Sequence, residues 1–232
     1  MAGYAVRHRD YFVLLDCGDG VIRRGLEAGL PMTCVDALLI SHLHLDHIGD
    51  LPPLLWALHG DSETRQHRPF SLYGPPGFRD FFYQFVSLYG DWVQNIAAPI
   101  VVDEISDTEF DLGPWRVMTL PMAHGIPANG YRLQSNSKSI CYTGDTGWCE
   151  TAVHLASNSD LLITECSFPN GTQLATHLSA GEVGQLASQA HCRKVSLSHL
   201  YPESLAADVI GQCAEFFDGK IELATDLQRL II

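Results

Sequence analysis

The sequence has few basic residues, with 14 Lys and Arg against 27 Asp and Glu among 232 residues and a formal net charge of −13. Nucleic acids and anionic membranes bind to basic surfaces, so neither is an expected partner. The chain also lacks an apolar run of the ~18 residues that a membrane helix needs. Residues 1–10 contain no apolar core of a secretory signal. Because linkers and low-complexity tracts are absent too, we expect one domain over residues 1–232.

Cysteine is present without a recognisable framework. The seven Cys include no Cys-x-x-Cys pair, and their number is odd. This pattern is typical of reduced thiols, and it predicts a cytoplasmic protein.

What the sequence does have is 11 His in an acidic chain, and a series of short apolar runs that end in polar groups. Short apolar runs bounded by Gly, Pro, Asp and Ser predict buried strands. Helical patterns lie between them, so the chain is expected to form an α/β fold with its ligand site beyond the strand ends. The predicted strands cover 12–15, 37–40, 117–120, 139–142, 161–163 and 194–197, and the predicted helices cover 21–28, 48–59, 77–89, 179–191 and 205–217.

The densest polar cluster is the run His42-Leu-His-Leu-Asp-His47, which follows one of the predicted strands. Residues two apart share one face of an extended segment, so His42 and His44 can bind one ion while the intervening leucines face the core. Asp46 and His47 then begin a turn into a helix and point to a second position. One ion can use only two or three of these four groups, so the spacing predicts two neighbouring ions.

This run resembles the signature of the metallo-β-lactamase superfamily, and four further motifs occur in the order found in that family. They contain Asp16 in Leu-Leu-Asp-Cys-Gly-Asp-Gly, His124, Asp145 in Tyr-Thr-Gly-Asp-Thr, and His199 in Leu-Ser-His-Leu. The resemblance covers nearly the whole chain. It implies the α/β fold of that family, a four-layer αβ/βα sandwich with a metal site at one edge between two sheets.

Within the superfamily, the sequence is most similar to the ribonuclease Z-like branch. The segment His124-Gly-Ile-Pro, followed by Gly130-Tyr-Arg, resembles the third motif of that branch. The segment that contains Glu165-Cys-Ser-Phe, followed by His177-Leu-Ser-Ala, is similar to a later part of it. In that branch, such a Glu and His form a proton-shuttling pair. β-Lactamases lack this pair, so the resemblance argues against hydrolysis of antibiotics.

The resemblance also implies a set of metal ligands. One ion would be held by His42, His44 and His124, the other by Asp46, His47 and His199, with Asp145 as the bridge between them. Zinc is the expected metal because it accepts nitrogen and oxygen ligands, and manganese is the alternative.

Four residues have implied roles in the chemistry. A hydroxide between the two ions would be the nucleophile, and Asp46 would orient it. His177, held by Glu165, would protonate the leaving oxygen. Asp16 would hydrogen-bond the loop that carries the ligands.

The expected function is therefore a dinuclear metal-dependent phosphodiesterase. A lactonase or other ester hydrolase of the same fold is the alternative within enzymes. A non-catalytic metal-binding relative is the alternative outside them, although such relatives typically lose one of the seven ligands.

The chain departs from the processing forms of ribonuclease Z in two places. Those enzymes carry a long basic arm between the third-motif His and the bridging Asp, whereas only residues 125–144 separate His124 from Asp145 here. The usual first strand with its Gly-Thr-Gly turn is not found before Tyr11, so we expect it to be missing. Without an arm, and with a net charge of −13, the expected substrate is a small phosphodiester or ester; RNA is disfavoured. A homodimer is one expected assembly.

Overall fold

The computed structural model describes residues 1–60, 68–93, 99–172 and 174–232. The chain divides into two compact units, Met1–Ile105 and Ser106–Ile232. Each unit has its own β-sheet and its own hydrophobic core. The prediction of a single domain over 1–232 stays a prediction. In the part of the chain that the structure describes, no helix is long and apolar enough to cross a membrane.

The first unit is built on a five-stranded sheet. Its strands are β1 (Tyr4–His8), β2 (Tyr11–Leu15), β3 (Ala37–Leu39), β4 (Phe70–Gly74) and β5 (Ile100–Glu104). They lie in the order β1-β2-β3-β4-β5, with β1 antiparallel to β2 and all other neighbours parallel. The described helices are α1 (Val21–Glu27), α2 (Leu45–Ile48), α3 (Leu51–Gly60) and α4 (Phe78–Tyr89), with 3-10 helices at Met32–Cys34 and Asp91–Val93.

Apolar side chains explain both the inner strands and the helices that cover them. All of β3 is buried, and so is β2 apart from its first residue, as parallel strands with both faces covered require. On α3, the buried residues Leu51, Leu54, Leu55 and Leu58 share one face of the helix. These leucines pack in one cluster with Phe78 of α4. Each such buried side chain contributes about 1.5–3 kcal/mol relative to an exposed one.

The N-terminal residues form a strand that the sequence analysis did not expect. β1 pairs with β2 from Tyr4 opposite Leu15 to His8 opposite Tyr11. β1 has the sequence Tyr-Ala-Val-Arg-His and carries no Gly-Thr-Gly turn, so the expectation that the usual first strand with that turn is missing stays a prediction. β1 lies at the sheet edge and buries only Val6, so it has no apolar run that would reveal it.

The second unit is built on a seven-stranded sheet. Its strands are β6 (Thr108–Leu112), β7 (Trp115–Pro121), β8 (Asn129–Ser135), β9 (Lys138–Tyr142), β10 (Leu161–Glu165), β11 (Lys194–Ser198) and β12 (Lys220–Leu223). Their order is β12-β11-β10-β9-β8-β7-β6; β6 to β9 are antiparallel neighbours, and β9 to β12 are parallel. The helices described here are α5 (Glu150–Ala156), α6 (Ala180–Gln189), α7 (Pro202–Leu205) and α8 (Val209–Ala214).

The segment between His124 and Asp145 is described throughout and forms the hairpin of β8 and β9. The two strands pair from Tyr131 opposite Tyr142 to Ser135 opposite Lys138. Because these residues are part of the sheet, the segment holds no arm, in agreement with its short length.

Two predicted helices of this unit had different outcomes. α6 begins as predicted at a capping box, in which Ser179 and Glu182 each bind the backbone of the other. In place of the predicted helix over 205–217, the structure has the shorter helix α8 (Val209–Ala214), and the separate helix α7 ends at Leu205. The Asp208 side chain accepts a hydrogen bond from Gly211 N and starts a new helix there, which explains the break.

The alternation of strands and helices in both units confirms the predicted α/β fold class. In each unit, the carboxyl ends of the parallel strands lie at the same end of the sheet, and polar residues follow the strands there. Asp16 follows β2 and Ser41 comes shortly after β3, whereas Asp145 and His199 follow β9 and β11. α/β sheets bind their ligands at this end.

Candidate metal centre

The histidine run follows β3, and its first half is extended. His44 has φ −69° and ψ 149°, and α2 begins at the next residue. Nε2 of His42 lies 3.0 Å from Nδ1 of His44. Two nitrogen ligands of tetrahedral zinc at ~2.0–2.1 Å would be about 3.3 Å apart. The His42–His44 nitrogen pair therefore has a spacing that suits one shared cation.

The leucines between these ligands do not both face the core. Leu43 is partly buried and packs against the core cluster of the first unit. Leu45 is 77% exposed, so the prediction for it was wrong. The cause is that Leu45 is the first residue of α2, where the alternation of an extended segment no longer applies.

Asp46 and His47 lie in α2, as the turn into a helix predicted. The ring of His47 is buried, whereas the Asp46 side chain is 34% exposed. Nε2 of His47 lies 3.5 Å from Oδ2 of Asp46. These two atoms can serve one cation together, separately from the His42–His44 nitrogen pair.

Asp16 holds the ligand loop from the end of β2. Its Oδ1 accepts the backbone N–H of Ser41 at 2.6 Å, and Oδ2 accepts the Ser41 hydroxyl at 2.6 Å. Oδ2 also lies 2.7 Å from Nδ1 of His47. The Asp16 carboxylate is fully buried, and its backbone has the uncommon φ of 59°. These bonds fix Nδ1 of His47 as the donor and leave Nε2 as the ligand nitrogen.

The second unit places three further predicted ligands near one another. A ligand atom of His124 lies within 4.8 Å of one of Asp145, and the same holds for Asp145 and His199. Nε2 of His199 is 3.2 Å from Oδ2 of Asp145. Nδ1 of His124 is 3.0 Å from the carbonyl oxygen of Thr176, so it donates there and leaves Nε2 as the ligand nitrogen.

Glu165 and His177 form the pair that the sequence predicted. Both oxygens of the Glu165 carboxylate lie 3.1 Å from Nδ1 of His177. The carboxylate also accepts the backbone N–H groups of Thr146 at 2.5 Å and Leu178 at 3.2 Å. Burial raises the pKa of Glu165, and its hydrogen bond with His177 opposes that rise. The rings of His177 and His199 are nearly parallel, with centroids 5.8 Å apart.

Sequence reasoning missed four residues around these groups. Ser41 and Ser167 contact the predicted histidines through their hydroxyls. Phe168 and Tyr201 stack with centroids 5.2 Å apart, and Tyr201 meets the rings of His177 and His199 edge to face. Ser167 and Phe168 lie within the segment Glu165-Cys-Ser-Phe, and Ser41 and Tyr201 lie directly beside the motifs that contain His42 and His199. Serine and aromatic residues occur throughout folded chains, so only these places could have pointed to them.

The donors in each unit have the chemistry of a divalent metal site. Neutral imidazole and carboxylate suit zinc, and several of the rings are held through one nitrogen so that the other can bind. The predicted donors are His42, His44, Asp46 and His47 in the first unit, and His124, Asp145 and His199 in the second. The residues therefore fit divalent metal ions.

Comparison with known proteins identifies the family. A family model described as "Beta-lactamase superfamily domain" matches residues 11–200. The chain belongs to this superfamily. The "Probable metallo-hydrolase YhfI" of Bacillus subtilis (strain 168) is 27% identical over 227 residues, which cover 96% of this chain and 89% of the relative. "Ribonuclease Z" of Thermobifida fusca (strain YX) is 26% identical over 286 residues, covering 99% of this chain and 88% of the relative.

Solved structures agree with this assignment. The crystal structure of the metallo-β-lactamase fold protein YhfI from Bacillus subtilis matches with a TM-score of 0.83 at 25% identity, covering 97% of this chain and 89% of that chain. The short form of human tRNase Z matches in fold, with a TM-score of 0.78 at 21% identity and coverage of 98% and 90%. The predicted metallo-β-lactamase fold and the ribonuclease Z-like branch are confirmed, and the chain is a member of a metallo-hydrolase superfamily.

Proposed function

We propose that this chain is a dinuclear metal-dependent phosphodiesterase with ribonuclease Z-like chemistry and a small substrate. The observation that carries the proposal is the Glu165–His177 pair, which lies against His199. A metal-dependent hydrolase needs a positioned acid when the leaving group is a poorly stabilised alkoxide, as in a phosphodiester. The similarity to a ribonuclease Z over most of both chains supports the same class of bond.

The proposed ligand assignment follows the family resemblance. His42, His44 and His124 would hold one ion, Asp46, His47 and His199 the other, and Asp145 would bridge them. Zinc is the proposed metal, with manganese as the alternative. Two divalent ions bound there would lower the pKa of water and withdraw charge from the phosphoryl oxygens.

The side chains of this chain would supply orientation and the proton. The carboxylate of Asp46 would orient the attacking water. Glu165 holds Nδ1 of His177, so Nε2 is the nitrogen that would carry a proton to the leaving oxygen. A positioned histidine acid is worth ~10²–10⁴-fold in rate.

Substrate size is proposed from charge. The formal net charge of −13 opposes the docking of a large polyanion. A small phosphodiester has one phosphate to place, and the metal ions would supply the positive charge at that point. The same reduced, acidic chain is proposed to act in the cytoplasm.

A substrate panel on zinc-loaded and manganese-loaded protein tests this function. It contains bis(p-nitrophenyl) phosphate, cyclic nucleotides, an acyl-lactone and pre-tRNA. We expect the small phosphodiesters to be hydrolysed with the highest kcat/KM, with loss of activity in chelator and its return with zinc. Faster hydrolysis of the lactone than of the phosphodiesters would contradict the proposal and indicate an esterase. Full metal loading without hydrolysis of any substrate would indicate a non-catalytic relative.

Metal content is the second test. Protein purified without chelator should contain two divalent ions per chain, because one ion cannot use all seven ligands. Elemental analysis that finds one ion or fewer at full occupancy would contradict the dinuclear centre. The substrate panel would then be interpreted for a mononuclear hydrolase.

A further inference from the structure

Ser167 lies two residues beyond the end of β10, and its side chain is fully buried. Its hydroxyl donates a hydrogen bond to Oε2 of Glu165. Oγ of Ser167 also lies 3.0 Å from Nδ1 of His199. None of the roles proposed above uses this hydroxyl, although it lies between the proposed acid pair and a proposed metal ligand.

A count of protons assigns the direction of these bonds. A serine hydroxyl has one proton and two lone pairs. The oxygens of Glu165 already accept backbone N–H groups from Thr146 and Leu178, so the carboxylate is the acceptor toward Ser167 as well. With its proton used there, Ser167 can only accept from Nδ1 of His199.

The remaining contacts of the hydroxyl are longer. The carbonyl oxygen of His199 is 3.3 Å from Oγ of Ser167, and Nδ1 of His177 is 3.4 Å from it. Nδ1 of His177 donates to Glu165, which is nearer at 3.1 Å. Neither contact therefore displaces the bond between Ser167 and His199.

A donor at Nδ1 determines the state of the other ring nitrogen of His199. If Nδ1 carries the proton, Nε2 carries the lone pair, and this nitrogen lies 3.2 Å from Oδ2 of Asp145. Two atoms that both present lone pairs at this distance suit a shared cation. The hydroxyl of Ser167 thus selects the form of the ring that binds a metal.

We propose that Ser167 is a positioning residue that ties the Glu165–His177 pair to His199 and holds this ring in its metal-binding tautomer. The inference deepens the proposed function and rests on it for the identity of the metal. It implies that one hydroxyl positions both the acid pair and the ion that His199 would bind. Groups that orient metal ligands typically contribute about 10–100-fold to metal affinity.

The test is Ser167→Ala, measured for zinc affinity and for the tautomer of His199 by ¹⁵N NMR of histidine-labelled protein. We expect zinc affinity at one of the two sites to fall about 10–100-fold. The change in kcat should be larger than the change in KM. The His199 signals should change from a single Nδ1-protonated tautomer to a mixture. Unchanged zinc affinity together with unchanged His199 signals would overturn the proposal.

A matched control and a second variant separate positioning from packing. Ser159 is also a fully buried serine of the same unit, and its hydroxyl bonds to Sγ of Cys192. Ser159→Ala should leave zinc affinity and the His199 signals unchanged. Ser167→Cys keeps the volume with a weak donor, but a thiol can itself bind zinc, so this variant is judged on the His199 signals of the metal-free protein. They should become a mixture of tautomers even if Ser167→Ala fails to fold. Wild-type His199 signals in a folded, metal-free Ser167→Cys protein would contradict the proposal.

The two proposals can fail separately. If wild-type protein binds two zinc ions without hydrolysing phosphodiesters, the proposed function is wrong, whereas the zinc affinities and NMR signals still test Ser167. If hydrolysis occurs and Ser167→Ala retains both the zinc affinity and the His199 tautomer, only the inference about Ser167 is wrong.

Discussion

At the residue scale, two buried carboxylates each hold a histidine ring through Nδ1, one in each unit. Oδ2 of Asp16 lies 2.7 Å from Nδ1 of His47. The oxygens of Glu165 lie 3.1 Å from Nδ1 of His177. In both cases the carboxylate fixes which nitrogen is the donor, so Nε2 is left for a ligand or a transferable proton. The same arrangement can therefore serve a metal ligand in one unit and an acid in the other.

Asp46→Ala should abolish hydrolysis and keep the fold. The Asp46 side chain is 34% exposed, so its removal opens no buried cavity. The ion proposed to bind Asp46 would lose one of its two carboxylates and keep only the shared Asp145, whereas His42 and His44 remain for the other ion. Elemental analysis should therefore give a metal content that falls from two ions toward one. Asp111→Ala, which removes an 80% exposed carboxylate on β6, should keep both ions. Wild-type turnover by the Asp46 variant would show that the assigned roles are wrong.

His177→Ala should distinguish leaving groups. A ribose or alkyl oxygen needs a proton as it departs, so turnover of such phosphodiesters should fall by ~10²–10⁴-fold. A p-nitrophenolate is stable without a proton, so turnover of bis(p-nitrophenyl) phosphate should fall far less. The measurement is kcat for both substrates with the same metal-loaded preparation. Equal losses on both would make His177 a structural or substrate-binding residue.

At the scale of elements, the N-terminus of α6 supports the acid pair. Leu178 N donates to Glu165, and the next residue, Ser179, begins the capping box of the helix. The position of His177 therefore depends on where α6 begins. The capping box was visible in the sequence because Ser179 and Glu182 have its fixed spacing.

Ser179→Ala should destabilise the protein by about 0.5–2 kcal/mol, the usual effect of losing such a cap. For a chain of this size, each 1 kcal/mol lowers Tm by about 2–4 °C. Ser188→Ala, an exposed position near the end of the same helix, is the matched control and should leave Tm almost unchanged. Thermal unfolding followed by circular dichroism measures both. Equal Tm values for the two variants would contradict a stabilising cap at Ser179.

Elements with strong apolar patterns were predictable, and edge elements were not. β2, β3, β10 and β11 follow from buried apolar runs, because their faces are covered. β1 and β6 have one buried residue each, so their sequences resemble loops. In the candidate site, the run from His42 to His47 was evident from its composition. Ser41 and Ser167 were not, because a serine acquires its role only from the partners that the fold brings to it.

At the scale of the whole molecule, charge is the basis of the proposed class of substrate. The 14 basic residues face 27 acidic ones, and several of the basic side chains are already engaged in surface ion pairs. Arg116 pairs with Glu109 and Asp111, and Arg79 pairs with Asp103. Such residues add little positive potential toward a polyanion, because each is neutralised by its partner.

The protein should therefore cleave small phosphodiesters better than it processes tRNA precursors. A tRNA-sized ligand gains most of its affinity from many phosphate contacts, each of which needs a basic side chain. The segment from His124 to Asp145 forms the β8–β9 hairpin and supplies no basic arm. The measurement is kcat/KM on pre-tRNA and on bis(p-nitrophenyl) phosphate at low and moderate salt. The prediction would be contradicted if the protein alone cleaved pre-tRNA efficiently at its 3′ end and this activity weakened steeply as salt rises. Such a result would establish tRNA processing, because only extensive phosphate contacts produce that salt dependence.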